Sequence, residues 1–137
     1  MVSYDIPSLI INLYGYFEKD LGKEELLKRI QELKPDLIGC VFARGSVVLA
    51  EVLRESGLSG TIPVIANDVF DESVSALQDG TFTNIVYKDP TRQAYLATKM
   101  LCEYLVKGNV PKEQVKKVEI ALIFKGNVNY YWEREDY

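Results

Sequence analysis

The feature that most constrains this chain is a regular alternation of β-like apolar runs with helix-like segments. "SLIINLY" (8–14) is rich in Ile and Leu and predicts a strand. "KEELLKRIQELK" (23–34) sets Leu26, Leu27, Ile30 and Leu33 on one helical face, and Pro35 stops it. "DLIGCVFA" (36–43) is a continuous apolar run, the pattern of a central parallel strand covered on both faces. "SVVLAEVLRES" (46–56) predicts a helix with Ser46 as N-cap and Gly57 as its stop. "TIPVIA" (61–66) predicts a second buried strand. "DESVSALQD" (71–79) predicts a short helix closed by Gly80, and "TFTNIVY" (81–87) a further strand. Asp89 then caps a helix with Pro90 in its first turn, and "TRQAYLATKMLCEYLVK" (91–107) carries it to Gly108. "QVKKVEIALIFK" (114–125) predicts the last strand, and "YYWEREDY" (130–137) is a polar, aromatic tail. That tail is either packed on its own domain or offered as an interface patch.

This βαβαβαβαβ order predicts an α/β domain, an open and mostly parallel sheet with helices on both faces. Ligands of such sheets sit at the carboxyl ends of strands. Residues 43–46, 67–70 and 87–89 all fall there, and two of the apolar runs break off abruptly into Asn67-Asp68 and Lys88-Asp89. A polar site would be built from such residues. Turns and helix caps favour the same residue types for local reasons, so the pattern alone leaves both readings open. Asp71 in particular fits a cap of the helix that follows it.

With 137 residues, 47% of them hydrophobic, the chain holds one domain with a sizeable core. A net charge of −4 argues against nucleic-acid binding by this chain, because phosphate affinity needs clustered Lys and Arg. There is no histidine, which removes the commonest general base and metal ligand. No Ser/His or Cys/His constellation, P-loop or GxGxxG is present. The glycine of "ARGSV" precedes a helix, whose N-terminus could take an anion, but a tight turn explains it as well. Cys40 and Cys102 read as two reduced core thiols, and ligand spacing for zinc is missing. No run reaches transmembrane length, and the first twenty residues lack a basic n-region. The expectation is a cytoplasmic, non-enzymatic protein without cofactor, metal or membrane contact.

From "DLIGCVFARGSVVLAEVLRESG" through "TIPVIANDVFDESVSALQDGTFTNIVYKDP" to "FKGNVNYY", the chain resembles the C-terminal part of the sugar-binding domain of LacI-family transcription regulators. It resembles equally the related type I periplasmic sugar-binding proteins. The resemblance runs from about residue 20 to residue 130 and rests on the order and spacing of motifs. It implies one lobe of a type I periplasmic-binding-protein fold, with a ligand held between this lobe and another. The family's hydroxyl-binding aspartate falls on Asp68, preceded by Asn67. Its Asn-Asp pair falls on Gly45 and Ser46, which depart from the pattern, with Arg44 adjacent as a substitute polar contact. Its Gln-x-Pro glutamine falls on Lys88, which donates hydrogen bonds but cannot accept them. Its Lys-Glu-Asn ending reads Lys125-Gly126-Asn127.

The resemblance therefore implies an effector-sensing lobe of a LacI-type regulator that binds a small molecule, a sugar in the first place. The alternatives are a lobe of an ABC-transporter solute-binding protein and an α/β interaction module without ligand. On this reading residues 1–137 are a C-terminal fragment, and DNA is contacted only through a separate headpiece. Residues 81–108 would be a crossover strand and helix that pack on the other lobe. A chain lacking that lobe is expected to form a homodimer.

Overall fold

The computed structural model describes Ile10, residues 21–113 and residues 115–132. The strand expected at 8–14 and the last five residues of the tail lie outside these. Helix α1 (Leu21–Leu33) leads to β1 (Ile38–Gly39), α2 (Ala43–Glu55), β2 (Val64–Asn67), α3 (Asp71–Gln78) and β3 (Asn84–Tyr87). Helix α4 (Pro90–Lys107), β4 (Ala121–Ile123) and α5 (Val128–Trp132) follow. The four strands form one sheet in the order β1-β2-β3-β4. The first two pairings, β1 with β2 and β2 with β3, are parallel, and β4 runs antiparallel to β3.

The register explains the core. Ala66 lies beside Ile85, and Ile85 beside Ile123, so one face of the sheet presents a continuous apolar row. Helices α1, α2 and α3 cover it, α1 against α2 and α2 against α3. Ile30, Leu49, Leu53, Val74 and Leu77 are the larger buried side chains among those they contribute. Residues of the other face, Ile65, Val86 and Leu122, stay half-buried or exposed. The open, mostly parallel sheet is thus present, while the described helices packed against it line one face rather than two.

Several boundaries differ from the sequence reading. The run 36–43 forms only the two residues of β1, and Leu37, Val41 and Phe42 are each more than half exposed. β1 is an edge strand among the described residues, and an apolar run reads the same at an edge as at the centre. Helix α2 starts at Ala43, so Ser46 is inside the helix and Phe42 occupies the cap position. Asp71 likewise is the first residue of α3, not its cap, which is Phe70. The last strand shrinks to Ala121–Ile123, leaving Val115 and Ile120 exposed. Cys40 is half-buried and Cys102 is exposed, so the thiols are not both core residues.

Other signals hold. Gly57, Gly80 and Gly108 follow their helices with positive φ, a conformation easy for glycine. Pro90 begins α4, and Asp89 Oδ1 accepts from the Arg92 N–H at 2.9 Å. Of the described tail residues, Tyr131 meets Tyr87 edge-on at 5.6 Å, while Tyr130 and Trp132 are exposed. Strand β3, the first part of the expected crossover segment, is an interior strand of this sheet, between β2 and β4. Helix α4 buries no residue at all.

Candidate functional site

Because β1, β2 and β3 are parallel, their carboxyl ends share one edge of the sheet. Each end leads at once into a helix, so the edge is built from three short loops around Val41, Asp68 and Lys88.

β2 hydrogen-bonds one residue beyond its end, the Asp68 N–H donating to Val86 O at 3.0 Å. The chain then turns sharply at Asp68, whose φ is 66°. A side chain costs about 1–2 kcal/mol in that region, and Asp is among the few residues that visit it routinely. Ser73 holds the turn. Its hydroxyl, fully enclosed, accepts from the Phe70 N–H at 3.0 Å and lies within donating distance of Asp68 O (3.0 Å) and Phe70 O (2.9 Å). β3 ends in a similar way: Asp89 has φ 45°, and the helix begins at the next residue. The two abrupt polar ends in the sequence are therefore left-handed aspartate turns that swing strand into helix and bring two charges to one edge.

Those charges are Asp68 and Lys88. The Lys88 ammonium lies 3.3 Å from Asp68 Oδ1, and the side chains keep 42% and 39% of their surface exposed. The pair faces solvent from the end of a rigid sheet. It presents a carboxylate that accepts and an ammonium that donates, side by side.

Asn67 lies just beneath, 8% exposed. Its Nδ2 donates to Val41 O at 2.7 Å, which ties the β1–α2 loop to the end of β2. Ser46 is fully buried in the first turns of α2, and its Oγ donates to Phe42 O at 3.1 Å and receives the Asn67 N–H at 3.5 Å. Gly45 is buried beside it, while Arg44 is exposed on the same turn. Of the six residues singled out in the sequence, Asp68 and Lys88 form the open pair. Asn67 and Ser46 brace the loops, Gly45 is enclosed, and Arg44 stands at the rim. Sequence reasoning missed Ser73. The available signal was a serine three residues after Phe70, the spacing at which a side chain reaches back to the start of a helix.

Among the described residues no group of three or more His, Cys, Asp or Glu side chains is placed to hold a metal ion. No described helix is long and apolar enough to cross a membrane.

Solved structures share this fold. A glucose-galactose binding protein, GanP, from Geobacillus stearothermophilus aligns at a TM-score of 0.67 and 24% identity, over 77% of this chain and 38% of its own. A candidate LacI transcriptional regulator from Bacteroides fragilis aligns at 0.66 and 21%, over 80% and 37%. A Caulobacter myo-inositol binding protein, bound to myo-inositol, aligns at 0.64 and 22%, over 79% and 36%. This chain spans well under half the length of each. No curated protein matches the sequence. The model of the periplasmic binding protein domain matches residues 14–109, most of the chain, and the protein belongs to that family.

Proposed function

We propose that this chain is the effector-binding lobe of a two-lobed sugar-sensing protein of the LacI regulator type. The observation that carries the reading is the Asp68–Lys88 pair, held open at the carboxyl edge of the sheet by a left-handed turn. A sugar presents hydroxyls that both donate and accept. A carboxylate accepts from them in charge-assisted bonds stronger than neutral ones. Asp68 is the primary ligand-binding residue and Lys88 its donating neighbour. Arg44 reaches the ligand from the rim, and Asn67, Gly45 and Ser46 line and brace the wall. Closure of two lobes on the ligand is the signal, and the chemistry needs no catalysis. DNA is contacted by a headpiece elsewhere in the gene product, and the regulator works as a homodimer. The ending Lys125-Gly126-Asn127 and the tyrosines after it favour the regulator over a transporter component.

A second reading is a solute-binding protein of an ABC transporter, which works in an exported compartment. Its support is that structural neighbours include a sugar-binding protein of a sugar ABC transporter from Bacillus halodurans. A helix-turn-helix or a signal peptide at the start of the gene separates the two.

Calorimetry on the intact gene product tests the site. Asp68→Asn is the variant of choice, because Asn also tolerates positive φ and an alanine would add backbone strain. Loss of a charge-assisted bond of about 1.5–3 kcal/mol lowers sugar affinity roughly tenfold to hundredfold. Unchanged affinity removes Asp68 from the site.

A further inference from the structure

We propose that the Asp68–Lys88 pair is a two-sided charge filter that admits a vicinal diol of a neutral sugar or cyclitol and excludes both sugar acids and amino sugars, with Lys88 as the half that excludes cations. The inference rests on the sugar-binding reading above and assigns its ligand class.

The geometry carries it. Asp68 Oδ1 and Lys88 Nζ stand 3.3 Å apart, each side chain about four-tenths exposed. Adjacent hydroxyl oxygens on a sugar ring, where gauche, are held by the ring at a comparable spacing. One hydroxyl of a diol can therefore donate to the carboxylate while its neighbour accepts from the ammonium. A carboxylate has only acceptors and a lysine only donors, so the pair reads direction as well as spacing. Its net charge is zero. A ligand carboxylate that approaches Lys88 meets Asp68 at close range, and a ligand ammonium that approaches Asp68 meets Lys88. Like charges so placed repel, and removal of water by a closing lobe strengthens the repulsion.

The backbones that carry the two charges are held by separate hydrogen bonds. The backbone at Asp68 is held by its N–H bond to Val86 O and by Ser73 at its carbonyl. The backbone at Lys88 is held by Gln93, whose side-chain amide donates to Lys88 O. A substitution at one charge therefore leaves the backbone position of the other unchanged, and the half-exposed positions tolerate replacement without loss of fold.

The test uses the intact gene product and calorimetry at a pH where the amine is protonated. The probes are D-glucose, D-galactose and myo-inositol, with the uronic acids and 2-amino sugars of the two hexoses. The wild type is expected to bind a neutral probe at least tenfold more tightly than the charged ones. Asp68→Asn leaves the ammonium alone and should shift the uronate-to-hexose affinity ratio at least tenfold toward the uronate. Lys88→Met leaves the carboxylate alone and should shift the amino-sugar-to-hexose ratio at least tenfold toward the amino sugar. Lys88→Arg, which keeps the charge, should retain exclusion of amino sugars. Melting temperatures identify any variant that fails to fold, and Lys88→Gln then replaces Lys88→Met. Sugar binding with charge ratios unmoved by these substitutions overturns the filter and leaves the sugar reading standing. A wild type that prefers a charged probe does the same. Absence of binding to every probe overturns both.

Discussion

Asp79 ends α3, on the far side of the sheet from the Asp68–Lys88 pair. Burial pushes its carboxyl up, but the hydroxyl and backbone N–H of Thr81 and the Arg54 guanidinium outweigh this and hold it below the usual range. Arg54 Nη2 lies 2.6 Å from Asp79 Oδ2. A depressed folded-state pKa contributes stability that is present above the unfolded value, about 3.9, and is lost as pH falls through the lower folded value. Asp79→Asn should therefore cost under about 1 kcal/mol at neutral pH, because the pair is substantially exposed. The difference should shrink progressively as pH falls below the unfolded value of about 3.9. Urea titrations of both proteins at neutral pH and through the acid range check this. At this scale the sequence is legible in residue type more than in partner. Asp68 and Lys88 are visible as polar breaks after apolar runs. Their pairing depends on the β2–β3 register, in which Asn67 lies beside Val86, and no local pattern encodes that. Ser46 has good capping chemistry, yet Ala43 and Arg44 before it are stronger helix formers, and the helix starts with them.

Among the elements, α4 is the outlier. Its caps are legible in the sequence, Asp89 and Pro90 at one end and Gly108 at the other, and its bounds agree with them to one residue. Its environment is not, because an apolar stripe says that something covers a helix without saying what. Tyr95, Leu101, Tyr104, Leu105 and Val106 are all at least half exposed. At dilutions where the lobe is monomeric, Leu105→Lys should thus leave its stability within about 0.5 kcal/mol. Leu53→Ala, at a fully enclosed position of α2, should cost about 2–5 kcal/mol. Denaturant unfolding of the two variants separates an uncovered helix from a core helix. β1 shows the opposite failure. Its apolar run promised a long central strand, and only Ile38–Gly39 pairs. Strand length is set by the neighbour available to pair with, not by the run itself.

For the whole molecule, uncovered apolar surface on α4 is continuous in chain with exposed Val110, Val115 and Ile120. Each large side chain removed from water contributes about 1.5–3 kcal/mol. For residues 1–137 taken without a second lobe, we propose a dimer that uses this surface, a second copy covering α4. Light scattering behind size exclusion should give twice the chain mass at high micromolar concentration, and Leu105→Lys should return it to one. A wild type that stays monomeric, with α4 open to proteolysis, argues against that dimer. The strand order β1-β2-β3 has a different consequence, for the time course of self-assembly. Each parallel pairing joins strands that are consecutive in the chain, so the lobe can zip from one βα unit to the next at a modest loop-closure cost. β4 reaches β3 only after the long excursion through α4, the costliest closure of the three. Ile123 is fully buried, yet it should settle after the rate-limiting step, so trimming it hastens unfolding while trimming Val64 or Ile85 slows the forward reaction.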